Sequence, residues 1–343
     1  MATIRDVAKL AGVSVATVSR VLNQNGYVNK ETEKTVLQSM KELSFEPSQI
    51  ARRLAGKTMK TLSLILPDIS NPFFPELARG VEDIAQQHQF NVFLGNSDNL
   101  EKKEKSYIEV MQKKSIDGLI IVSNTVEEET IRKLQNAKIP VVLLDRPFTG
   151  NNCSIVRARN SEGAQLAVKH LFEVGCRKIA HISGPDNINP AYERLIAYTD
   201  MVSGHDWFSE SLIEDGGFDI KGGREAMKRL LQSNADIDGV FAGNDLMALG
   251  ALKELLQMGI KVPEQIAICG FDGIQLTEYT EPGITTIAQP IYEMGALATE
   301  VLIKKIQGEE HENKIFELPV KLIQRNSTNK NHVQMGGLAW RKK

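Results

Sequence analysis

The sequence predicts two unlike units in tandem: a small all-α unit over residues 1–46 and a larger two-lobed α/β unit of doubly wound parallel sheets over residues 61–328, with residues 47–60 between them. Three observations carry this. Near the N-terminus, apolar residues recur at helical spacing in three short segments. Beyond residue 60, short uninterrupted apolar runs alternate with amphipathic stretches, the mark of strands buried on both faces of a parallel sheet. The charge is divided the same way: residues 1–60 hold ten Lys/Arg against five Asp/Glu, so a +5 head precedes a body of −7 in a chain of net −2. A basic head on an acidic body suits a polyanion-binding module attached to something that does not bind polyanions.

In the head, Ile4, Val7, Ala8 and Ala11 define a first short helix, with Thr3 placed to cap it and Asp6 three residues later favouring its positive end. Gly12 breaks that helix, Val13 turns inward, and Ser14 is a good N-cap for a second helix running to about Asn23. Val18, Val21 and Leu22 form the buried face of this second helix. Two helices joined by a turn of about three residues that includes glycine make a helix-turn-helix. A third helix, roughly Lys30 to Leu43 with Val36, Met40 and Leu43 inward, completes the small core. The outer face of the second helix presents Val15, Ala16, Thr17, Ser19 and Arg20. Such a face can enter a major groove, where Arg20 pairs with guanine and Val15 or Ala16 touches a thymine methyl. On spacing alone, a three-helix mini-domain with a polar outer face is the lesser alternative.

Pro47 to Gly56 predicts a short helix, capped by Ser48 and closed by Gly56, that is too brief to be stable alone. Arg52 and Arg53 beside the lone Leu54 suit phosphate and groove contacts. A plain linker is the alternative.

Strands are expected at Thr61–Leu66, Phe90–Gly95, Gly118–Val122 and Pro140–Leu144, then at Lys178–Ser183, Gly239–Ala242 and Gln265–Cys269, in two consecutive lobes. Open parallel sheets bind ligands beyond the carboxyl ends of their strands. Those positions read Asp68 to Phe74, Asn96 and Asp98, and Asp145-Arg146 in the first lobe. In the second they read Arg194, Asn244-Asp245, Asp272 and Gln289. Bidentate Asp, Asn and Arg groups beside Phe rings match a sugar, with hydroxyls at its edge and C–H patches on its faces. Taken singly, an Asp at a strand end is more often a helix cap than a ligand contact.

The runs Thr3-Ile4-Arg5-Asp6-Val7-Ala8 and Ala11-Gly12-Val13-Ser14-Val15-Ala16-Thr17-Val18-Ser19-Arg20-Val21-Leu22-Asn23 resemble the headpiece signature of the lactose-repressor family of regulators. The resemblance implies that Val15 and Ala16 choose the operator sequence, that Ser14, Thr17, Ser19 and Asn23 hold phosphates or bases, and that Arg20 reads a base edge. It also places Thr3 and Ala51 among the DNA contacts and makes residues 47–60 a hinge helix that pairs with its dimer mate, inserting Leu54 into a minor-groove step. Ser48, where many relatives carry Asn, is an equivalent cap. A palindromic operator read by two headpieces implies a homodimer. Asn71, Phe73, Phe74, Asp145, Arg146, Arg194, Phe218, Asn244, Asp272 and Gln289 are similar, position by position, to the sugar contacts of ribose-binding proteins. The body is therefore expected to be periplasmic-binding-protein-like, with ribose or a close relative as effector. Near the lobe crossover the family has an Asp-Asn pair where this chain reads Arg159-Asn160: an Arg159 facing the cleft would admit a phosphorylated or acidic ligand, whereas one facing solvent preserves ribose. The alternative within the family is a carbon-catabolite regulator answering to a phosphorylated carrier protein.

Other classes find little footing. Nothing approaches the roughly 18 apolar residues of a membrane span, and Asp6 and Lys9 stand where a signal peptide needs an apolar run, so a cytoplasmic protein is expected. Cys153, Cys176 and Cys269 are widely spaced without CxxC or neighbouring His, so neither disulfides nor metal are expected. There is no GxSxG, P-loop or GxGxxG, and the six histidines are scattered; His181 falls inside an expected strand. No cofactor and no enzymatic activity are expected. The polar tail 329–343 lacks a Leu heptad and is expected to be disordered.

Overall fold

The computed structural model describes residues 2–23, 26–45, 59–113, 116–123, 126–145 and 153–330. The chain divides into two compact units, residues 1–59 and 60–343.

The first unit contains α1 (Ile4–Leu10), α2 (Val15–Asn23) and α3 (Lys30–Glu42). A reciprocal capping box starts α1: the Thr3 amide donates to the Asp6 carboxylate at 2.8 Å, and the Asp6 amide donates back to the Thr3 hydroxyl at 3.4 Å. The Thr3 hydroxyl also donates to that carboxylate, at 2.7 Å, and it and the Thr3 amide hold the Asp6 carboxyl below its ordinary range. Gly12 sits at φ +66, a left-handed conformation that glycine adopts without strain, and it turns the chain between α1 and α2. Ser14 accepts the Thr17 amide at 3.1 Å and Asn29 accepts the Thr32 amide at 2.7 Å, capping α2 and α3. Val7, Val18 and Val36 are fully buried where the three helices meet. The expected hinge segment, with Ala51 and Leu54, lies outside the described residues, as does the tail from residue 331.

The second unit holds two six-stranded sheets. The first comprises β1 (Thr61–Leu66), β2 (Asn91–Asn96), β3 (Gly118–Val122), β4 (Val141–Leu144), β5 (Ser154–Ala158) and β11 (Ile315–Leu318). Its order is β11-β5-β4-β3-β1-β2, parallel throughout. The second comprises β6 (Ile179–Ser183), β7 (Ile213–Asp215), β8 (Gly239–Ala242), β9 (Ala267–Asp272), β10 (Thr285–Ala288) and β12 (Lys321–Ile323). Its order is β12-β10-β9-β8-β6-β7, and only β12 runs antiparallel. Each lobe thus repeats one doubly wound plan, with its order reversing beside the first strand, where such sheets open a crevice. Every apolar run expected as a strand falls on one, Thr61–Leu66, Gly118–Val122 and Gly239–Ala242 with the expected bounds and the others with ends shifted.

The first lobe packs α4 (Phe73–Gln87), α5 (Glu101–Lys113), α6 (Glu128–Asn136) and α11 (Ile291–Gln307) around its sheet. The second uses α7 (Asn160–Glu173), α8 (Asn189–Val202), α9 (Ile220–Ser233) and α10 (Asp245–Gln257). Here the sequence expectation is corrected. The lobes are not consecutive segments, because α11 and β11 return to the first lobe after the second is built. The chain crosses between lobes three times: at Ala158-Arg159-Asn160, at Ala288-Gln289-Pro290, and between Leu318 and Lys321. The α4–α11 crossing is backbone against backbone: a Cβ on Gly80 would lie 2.1 Å from the Tyr292 carbonyl oxygen, and one on Gly295 would lie 2.2 Å from that of Leu77.

Candidate functional site

Between the lobes lies a cleft of about 240 Å³, lined from strand ends on both sides. Asn71, Phe73, Phe74 and Asp145 come from the first lobe; Arg194, Phe218, Asn244 and Asp272 come from the second; Gln289 stands in the middle crossover. Nine of the ten expected ligand residues are therefore brought together. The tenth, Arg146, lies outside the described residues.

Two of the polar side chains both cap and line. Asn71 accepts the Phe73 amide at 3.1 Å where α4 begins, and Asn244 accepts the Met247 amide at 2.8 Å to cap α10. Asn244 also donates to the Phe218 carbonyl at 3.1 Å, holding that residue at φ +62. The Phe218 ring covers Gly184 so closely that a Cβ there would lie 2.3 Å from it. Phe73 and Phe74 meet edge to face with centroids 5.1 Å apart.

Arg194 organises the floor. Its Nε and Nη2 donate to Asn160 Oδ1 at 3.0 and 2.8 Å, and its Nη1 donates to the Gly243 carbonyl at 2.6 Å and lies 3.5 Å from Asp272 Oδ1. The guanidinium carbon lies over the Phe271 ring, 3.7 Å from its centroid. Asp272, at φ +116, also accepts from Gln289 Nε2 at 2.8 Å. The Gly273 and Ile274 amides that follow it donate to Asp245 Oδ2 at 2.7 and 2.8 Å. Asp245, fully buried, thus serves the turn rather than the cleft. Gln289 Oε1 is buried and has no hydrogen-bond partner, an acceptor awaiting a donor.

Loss of solvent pushes the Asp145 carboxyl up to about 6, although Arg194 pulls it back. Burial raises Asp272 as well, again opposed by Arg194. Among the described lining residues, the carboxylates Asp68, Asp145, Asp219 and Asp272 face a single cation, Arg194, three of whose N–H groups are held by Asn160 and the Gly243 carbonyl. This suits a ligand rich in hydroxyl donors. Arg159 does not alter the balance: it pairs with Glu162 at 3.2 Å, nearly half exposed, and does not line the cleft.

Asn99, Ser123, Ile188, Pro190, Gly217 and Asp219 also line the cleft and were not expected. Ser123 follows β3 directly, so the strand-end rule applied to the third strand would have found it. Asn96 and Asp98, expected near the cleft, are used otherwise: Asn96 accepts the Ile69 amide at 3.0 Å, and Asp98 pairs with Lys103. His181 is a core residue, stacked between Tyr198 and Phe241 and driven down to about 4 by burial.

In the head, Val15, Ala16 and Arg20 are exposed along α2, while Thr17 and Ser19 are half-buried beside them. Ser14 and Thr17 share a hydroxyl bond of 2.9 Å, Thr3 lies exposed at the start of α1, and Asn23 closes α2. Arg5, Lys9 and Arg20 are all exposed, as an anion-binding face requires.

A basic helix-turn-helix unit in one chain with a two-lobed, sugar-suited cleft defines a ligand-responsive DNA-binding regulator. Family models agree. Residues 3–48 match the bacterial regulatory proteins of the lacI family, and residues 59–326 match the periplasmic binding proteins and sugar binding domain of the LacI family. The chain belongs to the LacI family and is a sugar-responsive, DNA-binding repressor. Among curated proteins it is 43% identical to the ribose operon repressor of Halalkalibacterium halodurans, over 96% of this chain and 97% of that one. Among solved structures it resembles the lac repressor dimer bound to operator and the anti-inducer ONPF, with TM-score 0.83 and 25% identity over 95% of this chain and 99% of that one. It also resembles a LacI family regulator from Enterococcus faecium with bound ribose, with TM-score 0.71 and 31% identity over 78% of this chain and 98% of that one.

Proposed function

We propose that this protein is a cytoplasmic homodimer that binds a palindromic operator and is released from it by ribose. The observation that carries the effector is the cleft: carboxylates from both lobes and the unpartnered Gln289 Oε1 beside Phe73, Phe74 and Phe218. The carboxylates among the described lining residues call for hydroxyl donors, which a neutral pentose supplies. Likeness to a ribose operon repressor and to a ribose-bound regulator supports the same reading.

Residues 1–46 serve as the headpiece and residues 61–328 as the effector-binding and dimerising body, with Asn71, Phe73, Phe74, Asp145, Arg146, Arg194, Phe218, Asn244, Asp272 and Gln289 as the sugar contacts. Thr3, Ser14, Val15, Ala16, Thr17, Ser19, Arg20 and Asn23 meet the operator from the headpiece. Ala51 and Leu54 do so from the hinge at 47–60, where paired helices form only when the two bodies hold them close. Ribose closes the lobes, moves the linkers apart and lets those helices melt. Leu54→Ala should then weaken operator binding roughly tenfold to a hundredfold, given a few kcal/mol per wedged base step, with ribose affinity unchanged in calorimetry.

The deciding experiment is operator binding against a panel of pentoses, ribose phosphates and the phosphorylated carrier protein of the catabolite alternative. Release by ribose alone is the expected result; release only by a phosphate ester or by the carrier overturns the proposal.

Binding should also depend on pH. Asp145 titrates at about 6 in the folded protein, against an ordinary value of 3.8. Its ionised form is therefore the one that folding penalises, and this penalty disappears as pH falls from about 6 towards the unfolded value. Ribose needs the ionised acceptor, so affinity should move in the opposite sense, falling as pH drops from about 7 to about 5 with a proton released on binding. Calorimetry in buffers of different ionisation enthalpy measures both.

A further inference from the structure

Beyond the cleft-lining residues, one set of charged side chains gathers where the lobes meet. Glu193 is the neighbour of Arg194 on α8. Its Oε1 accepts from Arg157 Nη1 at 3.3 Å and from Asn189 Nδ2 at 3.0 Å, and its Oε2 accepts from Asn160 Nδ2 at 3.2 Å. Arg157, on β5, also donates from Nε to Glu317 Oε1 on β11 at 3.0 Å. Arg157 and Glu317 belong to the first lobe and Glu193 to the second, so the guanidinium stands between a partner across the hinge and a partner within its own lobe.

The two consecutive α8 side chains reach all three crossovers. Arg194 bonds Asn160 in the first and, through Asp272, reaches Gln289 in the second. Glu193 bonds Asn160 too and, through Arg157, reaches Glu317 on the strand that leads into the third. Asn160 is the shared member: its oxygen holds Arg194 and its amide holds Glu193, so a ligand that shifts Arg194 also shifts Glu193.

We propose that Glu193 is a positioning residue which, by drawing across the hinge an Arg157 guanidinium that Glu317 holds from the other side through Nε, sets how far the lobes open and so tunes effector affinity and release from the operator. The inference rests on the ribose reading for its ligand. A hinge rotation changes the separation of β5 and α8, making or breaking the Arg157–Glu193 contact. Because Glu317 retains Arg157 when that contact breaks, the opened arrangement leaves no guanidinium stranded, and two discrete states are accessible. Arg157 and Glu193 are each only about a quarter exposed, which spares their pairing much of the screening that weakens surface pairs.

The two carboxylates should therefore act in opposite directions, a result that a merely structural role would not produce. In the full-length protein, E193Q should weaken ribose binding ~5-fold and E317Q should strengthen it ~2-fold, and adding R157Q to E193Q should cost nothing further. Small-angle scattering without ligand provides an independent measure: E193Q should be more expanded than wild type. Shifts of the same sign in E193Q and E317Q, or an E193Q protein as compact as wild type, overturn the inference. If wild type binds no ribose but E193Q still opens, the proposed effector fails while the hinge assignment stands.

Discussion

Arg194→Ala should lower ribose affinity roughly a hundredfold, corresponding to the ~3 kcal/mol typical of truncating one member of a buried, hydrogen-bonded charge pair. The size follows from what is left behind. Asp272 would lose the charge that offsets its burial, Asn160 Oδ1 would lose two donors, and the Phe271 ring would lose its overlying cation. Both Asp145 and Asp272 should then titrate higher still, since Arg194 is the largest influence pulling each down. Operator binding without ribose should be unchanged, because no headpiece residue is touched, so the variant should act as a repressor that ribose cannot lift. Arg194→Lys should recover little: an ammonium keeps the charge but cannot hold Asn160 and Gly243 with one planar fork. Calorimetry and operator titration with and without ribose check this, and an Arg194→Ala protein still released by ribose at wild-type concentrations would refute it.

Gly295→Ala should destabilise the body by about 2 kcal/mol and lower its thermal midpoint by roughly 4–8 °C. The added methyl would sit 2.2 Å from the Leu77 carbonyl oxygen, and main chain cannot swing aside as a side chain can. Either α4 and α11 must separate along their whole crossing or the returning helix must slide on its sheet. Thermal denaturation followed by circular dichroism measures the cost; a midpoint within a degree of wild type would show that the two helices are not locked together.

Both features bear on what a sequence discloses. The headpiece was legible because each boundary has a local chemical cause: the Thr3–Asp6 box, Gly12 at positive φ, and the Ser14 cap. The cleft was legible because a parallel sheet gathers its strand ends, so one rule applied strand by strand brought residues as distant as Asn71 and Gln289 together. The sheet edges were not. β7, β11 and β12 are short and half exposed, interrupted by Glu214, Glu317 and Lys321, and the inner strands β5 and β10, also not expected, carry Ser154, Arg157, Thr285 and Thr286, so none shows a continuous apolar run. The first crossover stayed open between two readings for a related reason. Arg159-Asn160 drew notice for its cation, yet Arg159 turns outward to Glu162 while Asn160, 2% exposed in the first turn of α7, holds Arg194. Which of two adjacent residues faces in depends on the backbone path through the crossover, and that path is set by two lobes not adjacent in sequence.

The order in which the lobes are completed bears on how the protein is made. Helix α11 and strand β11, residues 291–307 and 315–318, are the last pieces of a sheet whose first strand begins at Thr61. During synthesis the headpiece can fold as soon as it emerges, since its core draws only on local contacts, whereas the first lobe must wait with an unpaired edge at β5 until almost the whole chain has appeared. A ribosome-bound chain stopped before residue 291 would therefore carry a folded DNA-binding head on a body with one incomplete lobe, and protease digestion of such stalled chains should spare the head and cut the first lobe.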